Sequence, residues 1–324
     1  MKSRYIVITA ILVVTLAVLL LYGIRVLMQM NQGSNHADVV LWIEPWMPNT
    51  TIPKWGIPGI IIVYECSPSD LSCLSFLNDS LMLIRFYHNL GKPVFIALYP
   101  TWYVHRGLLT NPNLVTLPNY IISDLKSIDP TGKGFFIGFS EESSCLYNTA
   151  CRNTLIETYH ELESEFPDAK FYYYDCINCV EPGVLISFAK EANVSILGYD
   201  IYLYTYSNGS IHVDPRLYEY MKEVISSGFT PIIGEVGFRY CDEYAWYIAY
   251  QSTTPPPYTY TWNCTAPAAY LAEALDQISL IKPEYVGIWA WNDPALGIIN
   301  NPLMIRVLER YVEGKALLPL NYLK

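Results

Sequence analysis

Two stretches, GFFIGFSEE (134–142) and TPIIGEVGF (230–238), are apolar runs that carry carboxylates at their ends: Glu141 and Glu142 in the first, Glu235 in the second. Only 15% of the 324 residues are charged, and a carboxylate next to buried surface is costly unless it is used. Two such groups can divide the work of glycoside cleavage. One carboxylic acid protonates the leaving oxygen, and the other carboxylate attacks carbon or activates water. The other polar groups that end apolar runs are Glu44, Glu65, Ser140, Asp175, Asp200, Tyr202, Asn292 and Asp293, again mostly carboxylates. Sugars offer apolar ring faces to aromatic side chains, and Trp42, Trp46, Trp102, Trp262, Trp289 and Trp291 fall at or just beyond the ends of such runs. Other chemistries lack their residues. There is no GxSxG elbow and no phosphate-binding glycine loop, and the five histidines are scattered without metal-ligand spacing. No metal or organic cofactor is implied.

The elements that must position these groups can be counted. From Asp38 onward eight short β-rich runs occur, at 39–45, 59–65, 93–100, 134–142, 170–176, 195–202, 230–238 and 284–293. Between several of them lie stretches with apolar residues at helical spacing, such as LSFLNDSLMLIRFYHNL, NTLIETYHELESEF and PAAYLAEALDQISLI. Near-continuous apolar strands alternating with helices indicate a parallel sheet covered by helices. Eight units in about 250 residues is the size of a closed α/β barrel, the (β/α)8 or TIM barrel, whose chemistry sits at the C-terminal ends of the strands. An open doubly wound sheet is the competitor, but no run is followed by GxGxxG, and TGKG before the fourth run reads as a turn. The longest irregular stretch, 240–267, is rich in Tyr, Trp and Pro, and is expected to form an ordered lid.

With the strands counted, SEE after the fourth, GEVG on the seventh and GIWAWND on the eighth resemble the clan of retaining (β/α)8 glycoside hydrolases that includes cellulases, mannanases and β-galactosidases. The resemblance implies Glu141 as acid/base, Glu235 as nucleophile, and Trp291 or Trp289 as sugar platform. It implies Tyr202, in YDIY on the sixth strand, as the tyrosine that hydrogen-bonds the nucleophile. Trp42, Trp102, Ser140, Asp200 and Asn292 complete the expected sugar contacts. Three departures stand out: Ser140 replaces the usual Asn, Glu142 follows where Pro is frequent and so stands as the alternative to Glu141 for the acid/base, and Asp200 replaces the His of the sixth-strand HxY pattern. A chitinase-like relative would need a DxxDxDxE run on the fourth strand, which GFFIGFSEE lacks. Structural readings compete with these roles: Glu235 could pair with Arg239, and Glu141 with Glu142 could favour a helix N-terminus. The function implied is a glycoside hydrolase acting with retention. The alternatives are a noncatalytic carbohydrate-binding or structural barrel, or a transglycosylase using the same residues.

The remaining features concern location. Residues 5–24 are uncharged and apolar, long enough to span the roughly 30 Å hydrocarbon layer as a helix. Lys2 and Arg4 precede them, which places the N-terminus in the cytoplasm and the barrel outside the cell. The competing reading is a cleaved signal peptide, whose apolar core is usually shorter. The expected organisation is an anchor at 1–28, a polar linker at 29–37, and the barrel at 38–324. Eight cysteines fall as neighbours, suggesting the disulfides 66–73, 145–151, 176–179 and 241–264, and five Asn-x-Ser/Thr sequons also suit an exported, glycosylated surface. The net charge of -10 argues against nucleic acid as a partner. The partners expected are a carbohydrate substrate and, through the anchor, a membrane.

Overall fold

A computed structural model describes residues 37–45, 51–64, 71–100, 115–140, 143–201, 204–207, 210–237, 265–292 and 297–317. The expected anchor and linker, residues 46–50, and most of the 240–267 stretch lie outside them. Among the described residues no helix is long and apolar enough to cross a membrane.

The eight expected strands are all present. They are β1 (Asp38–Ile43), β2 (Ile57–Val63), β3 (Val94–Tyr99), β4 (Phe135–Ser140), β5 (Lys170–Cys176), β6 (Ile196–Ile201), β9 (Thr230–Gly237) and β10 (Tyr285–Trp289). They close in the order β1-β10-β9-β6-β5-β4-β3-β2, every neighbouring pair parallel. Between β6 and the next helix lies an antiparallel hairpin that the apolar pattern does not announce, β7 (Tyr204–Ser207) with β8 (Ser210–Val213). The helices are α1 (Leu71–Asn89), α2 (Asn119–Ile128), α3 (Ser143–Tyr147), α4 (Thr149–Glu165), α5 (Pro182–Glu191), α6 (Arg216–Ser226), α7 (Thr265–Ile278) and α8 (Pro302–Val312). Helix α7 begins inside the stretch read as irregular. Helix α8 starts where its sequence says it should: Pro302 occupies the first turn, and the Asn301 carboxamide oxygen accepts from the amides of Leu303 and Met304 at 3.1 and 3.2 Å.

Alternation along the strands divides the buried residues into two cores. Val39, Leu41, Ile62, Ile137, Tyr173, Leu197, Tyr199, Ile233 and Val236 face the helices. Val40, Trp42, Phe95, Phe136, Tyr172, Tyr174 and Tyr285 fill the barrel itself. The interior is aromatic: Phe95 stacks on Phe136 at 4.3 Å, and the Tyr172 and Tyr174 rings lie within 10° of parallel. Rings this large fit only because glycines face them. A Cβ at Gly287 would stand 2.6 Å from Trp42 Nε1 and would collide with the Gly234 carbonyl, and one at Gly234 would enter the Tyr174 ring.

Two expected disulfides are present, Cys145–Cys151 and Cys176–Cys179, with Cα separations of 5.0 and 5.1 Å. Cys73 is disulfide-bonded as well; its expected partner Cys66, like Cys241 and Cys264, lies outside the described residues.

Two outcomes follow from this packing. Gly287→Ala should lower unfolding stability by about 1–3 kcal/mol or more, since backbone as well as side chain must yield, whereas Gly183→Ala, with nothing within 4 Å of the added methyl, serves as the neutral control in denaturant titrations. Burial pushes the Tyr285 phenol up to about 12 and Tyr172 well above its ordinary value. Above pH 10 the unfolded chain therefore releases protons that the folded barrel retains, so stability should fall as pH rises from about 10 to 12. The denaturation midpoint should decline across that window, with tyrosinate absorbance from these rings appearing only on unfolding.

Candidate active site

The site is built on an irregularity of β9. On β10 one residue, Gly287, separates Val286 from Ile288, and on β6 one residue, Asp200, separates Tyr199 from Ile201. Opposite both, β9 places two residues, Gly234 and Glu235, between Ile233 and Val236. This is a β-bulge, the common device for re-aiming a side chain beside a site. Because Ile233 and Val236 both belong to the outer core, the two residues between them fall on the interior side. A glycine comes first because the Tyr174 ring occupies the place of a side chain there. The Gly234 carbonyl accepts from Trp42 Nε1 at 2.9 Å, so an indole from β1 holds the bulge from across the sheet.

The bulge presents Glu235, only 3% exposed, to the C-terminal end of the barrel, where the Tyr174 hydroxyl donates to its Oε1 at 2.8 Å. Asp200 sits on the neighbouring strand opposite the bulge, 2% exposed, and strand alternation turns it inward, since Leu197, Tyr199 and Ile201 all face the helices. One level deeper lies Tyr172. Its hydroxyl is held in the neutral form by burial first, and then by Tyr159, Tyr99 and the charge of Glu235.

The other sequence-predicted residues divide. Trp289 ends β10, half-buried against the interior aromatic cluster, and a cis peptide bond joins it to Ala290. Of the two candidate sugar platforms it is the one at the mouth. Trp291 instead packs in the outer core, its indole N–H donating to the Thr51 carbonyl at 2.9 Å and its backbone N–H to the Trp42 carbonyl at 2.7 Å. Trp42 lies beneath the site, buried, as part of its floor. The Asn292 carboxamide grips the backbone of Glu44 at both ends, accepting from its N–H at 2.8 Å and donating to its C=O at 2.9 Å. This brings a third buried carboxylate, Glu44, to the end of β1. Ser140 closes β4 in register with Tyr174 of β5. Glu141, Trp102, Tyr202 and Arg239, the expected ion-pair alternative for Glu235, lie outside the described residues, as does the side chain of Ser140.

Sequence reasoning did not single out Tyr174. Its bond to Glu235 is the one the resemblance assigned to Tyr202, and KFYYYDC looks like core packing. Only the 2.0-residue period separates inward Tyr172 and Tyr174 from outward Tyr173. The strand-end carboxylate Asp175 faces outward, accepting from the Tyr173 hydroxyl at 2.7 Å and from the Cys176 amide at 2.8 Å. With Cys176 and Cys179 it forms a group whose ligand-type atoms lie within 4.8 Å of one another. The two sulfurs are joined in a disulfide, so they are not the thiolates that a metal requires.

No protein-family profile matches the chain, and no curated protein is similar to it. Solved structures match by shape. The GH53 catalytic domain of Ignisphaera aggregans has a TM-score of 0.50 at 10% identity, covering 76% of this chain and 79% of that one. A thermostable mutant of a Cellvibrio japonicus xylanase has a TM-score of 0.49 at 10% identity, covering 81% and 90%. A GH10 endoxylanase from a sugarcane soil metagenome has a TM-score of 0.48 at 11% identity, covering 86% and 97%. At these identities the likeness is one of fold: the chain has the (β/α)8 barrel on which these glycoside hydrolases are built.

Proposed function

We propose that the protein is a membrane-anchored, extracytoplasmic glycoside hydrolase that cleaves an oligo- or polysaccharide with retention. The observation that carries this reading is Glu235: a buried carboxylate turned by a bulge into the C-terminal end of the barrel and held by Tyr174. Ionised Glu235 forms a bond to the anomeric carbon as the glycosidic C–O bond breaks, while protonated Glu141 gives its proton to the departing oxygen. Glu141, now ionised, takes a proton from water, whose oxygen displaces Glu235 from the sugar and restores both groups. The mechanism needs the two carboxyl groups roughly 5–5.5 Å apart. Donation from Tyr174 stabilises the charged form of Glu235 and fixes the oxygen that attacks. Trp289 offers its ring face to the sugar. Anchoring is supported by the apolar run at 5–24 behind Lys2 and Arg4, and an oxidising location by the two disulfides.

On a mixed-glycan panel the parent chain should release product with its anomeric configuration retained, read by proton NMR of fresh digests. Glu235→Gln should abolish release while glycan binding persists; undiminished hydrolysis in that variant would sink the reading. Tyr174→Phe should lower kcat/KM by about 10–100-fold, the loss of one hydrogen bond to a charged group. Because that bond favours the ionised carboxylate, its loss should also move the acid limb of the pH–rate profile upward. A Tyr174→Phe enzyme with the parent's profile would show the bond to be structural only.

A further inference from the structure

The two described disulfides sit in different surroundings. Cys145–Cys151 joins α3 to α4, and both of its cysteines are wholly buried. Cys176–Cys179 closes the turn that leaves β5, with both cysteines half-buried and the exposed Asn178 between them. A disulfide stabilises a fold least when the loop it closes is short, and one that reagents can reach is the more readily exchanged. The turn itself does not depend on the bond. The Cys179 amide donates to the Cys176 carbonyl at 2.9 Å and the Val180 amide donates to the same oxygen at 3.4 Å. Two freed sulfurs would therefore stay together, ready to rejoin.

Beside the pair stands a carboxylate that the hydrolase reading leaves idle. Asp175 is wholly buried and faces away from the barrel interior, held by the Tyr173 hydroxyl at 2.7 Å and the Cys176 amide at 2.8 Å. A carboxylate oxygen and the two sulfurs all lie within 4.8 Å of one another. Taking a carboxylate out of water is costly, and this one is fixed where a proton must move whenever the pair opens or closes. The thiolate is the reactive form of a thiol, and a neighbouring base generates it.

We propose that Cys176, Cys179 and Asp175 form a thiol–disulfide exchange site that takes a dithiol, on a small molecule or an extended peptide. One thiolate of the substrate bonds to a sulfur of the pair as the Cys176–Cys179 bond breaks. The electron pair of that bond leaves on the other sulfur, which takes a proton from water. The second substrate thiol gives its proton to Asp175 and attacks the mixed disulfide. The substrate departs as a disulfide, and the sulfur it releases recovers the proton from Asp175. The dithiol has lost two electrons and the pair has gained them. The proposal does not rest on the hydrolase reading and stands or falls without it.

The test treats the full oxidised chain with dithiothreitol in native buffer, with a chelator present. Freed thiols are trapped by acid, alkylated and read peptide by peptide by mass spectrometry. Cys176–Cys179 should open at least about tenfold faster than Cys145–Cys151, with tryptophan fluorescence unchanged. Asp175→Asn, folded by the same fluorescence, should slow that opening at least about fivefold. A second measurement carries the test if that variant does not fold. With a peptide dithiol, the parent should form one more equivalent of peptide disulfide than the double variant Cys176→Ser, Cys179→Ser. Opening of Cys176–Cys179 only together with unfolding, or no faster than Cys145–Cys151, would overturn the proposal. So would a folded Asp175→Asn chain exchanging at the parent's rate, or a double variant that oxidises the peptide as fully as the parent.

Discussion

The hydrogen bond from Trp42 Nε1 to the Gly234 carbonyl is the contact on which the site depends. A bulge takes a carbonyl out of the regular ladder, and inside a barrel no water stands by to satisfy it. The indole answers that carbonyl, and its bulk fills the space that glycines at 59 and 287 leave open, while the Tyr174 ring fills the space at Gly234. The same arrangement therefore stabilises the irregular backbone, packs the barrel floor and aims Glu235. None of the three can be altered alone: a smaller residue at 42 would orphan the carbonyl, and a larger one at 287 would push it aside.

Much of this was legible in the sequence, and the parts that were not share a physical reason. Continuous apolar runs mark buried parallel strands without ambiguity of face, so all eight could be counted, and the place of Glu235 at the end of the seventh followed from the count. The bulge has no period of its own. Its trace is the isolated glycine in TPIIGEVGF, a recognised sign of a bulge in a strand, yet one that becomes informative only once the neighbours β6 and β10 show one residue where β9 has two. Trp289 and Trp291 share a face of β10 by simple alternation, but the chain leaves the strand between them, at the cis bond after Trp289, and one tryptophan goes to the mouth and the other to the outer core. The β7–β8 hairpin escaped because its edge is completed by side chains. Glu273 and Gln277 of α7 accept from the amides of Ile211 and Val213 at 2.8 and 3.0 Å, a pairing that strand periodicity cannot encode.

The interior differs from that of barrels packed mainly with branched aliphatic side chains. Aromatic rings carry most of the volume, and two of them, Tyr172 and Tyr174, bring hydroxyls into a region from which water is excluded. Polar groups so placed are tolerated when they have a task. Tyr174 meets Glu235 directly. The stacking of the two rings ties the position of one hydroxyl to the other, so the floor and the nucleophile candidate share a single rigid support.

The barrel closes where its first and last strands meet, and that seam has its own locks: the Asn292 amide on the backbone of Glu44 and the Trp291 amide on the carbonyl of Trp42. These partners are 248 and 249 positions apart, so they are among the last contacts a growing chain can make. Until β10 has emerged, Trp42 lacks Gly287, one of the two glycines that seat its indole, and β1 has an open edge. Assembly of the mouth is thereby deferred to the end of synthesis. A chain that leaves its ribosome N-terminus first carries every acidic residue of strands one to seven before it, but becomes a closed vessel only when its final strand arrives.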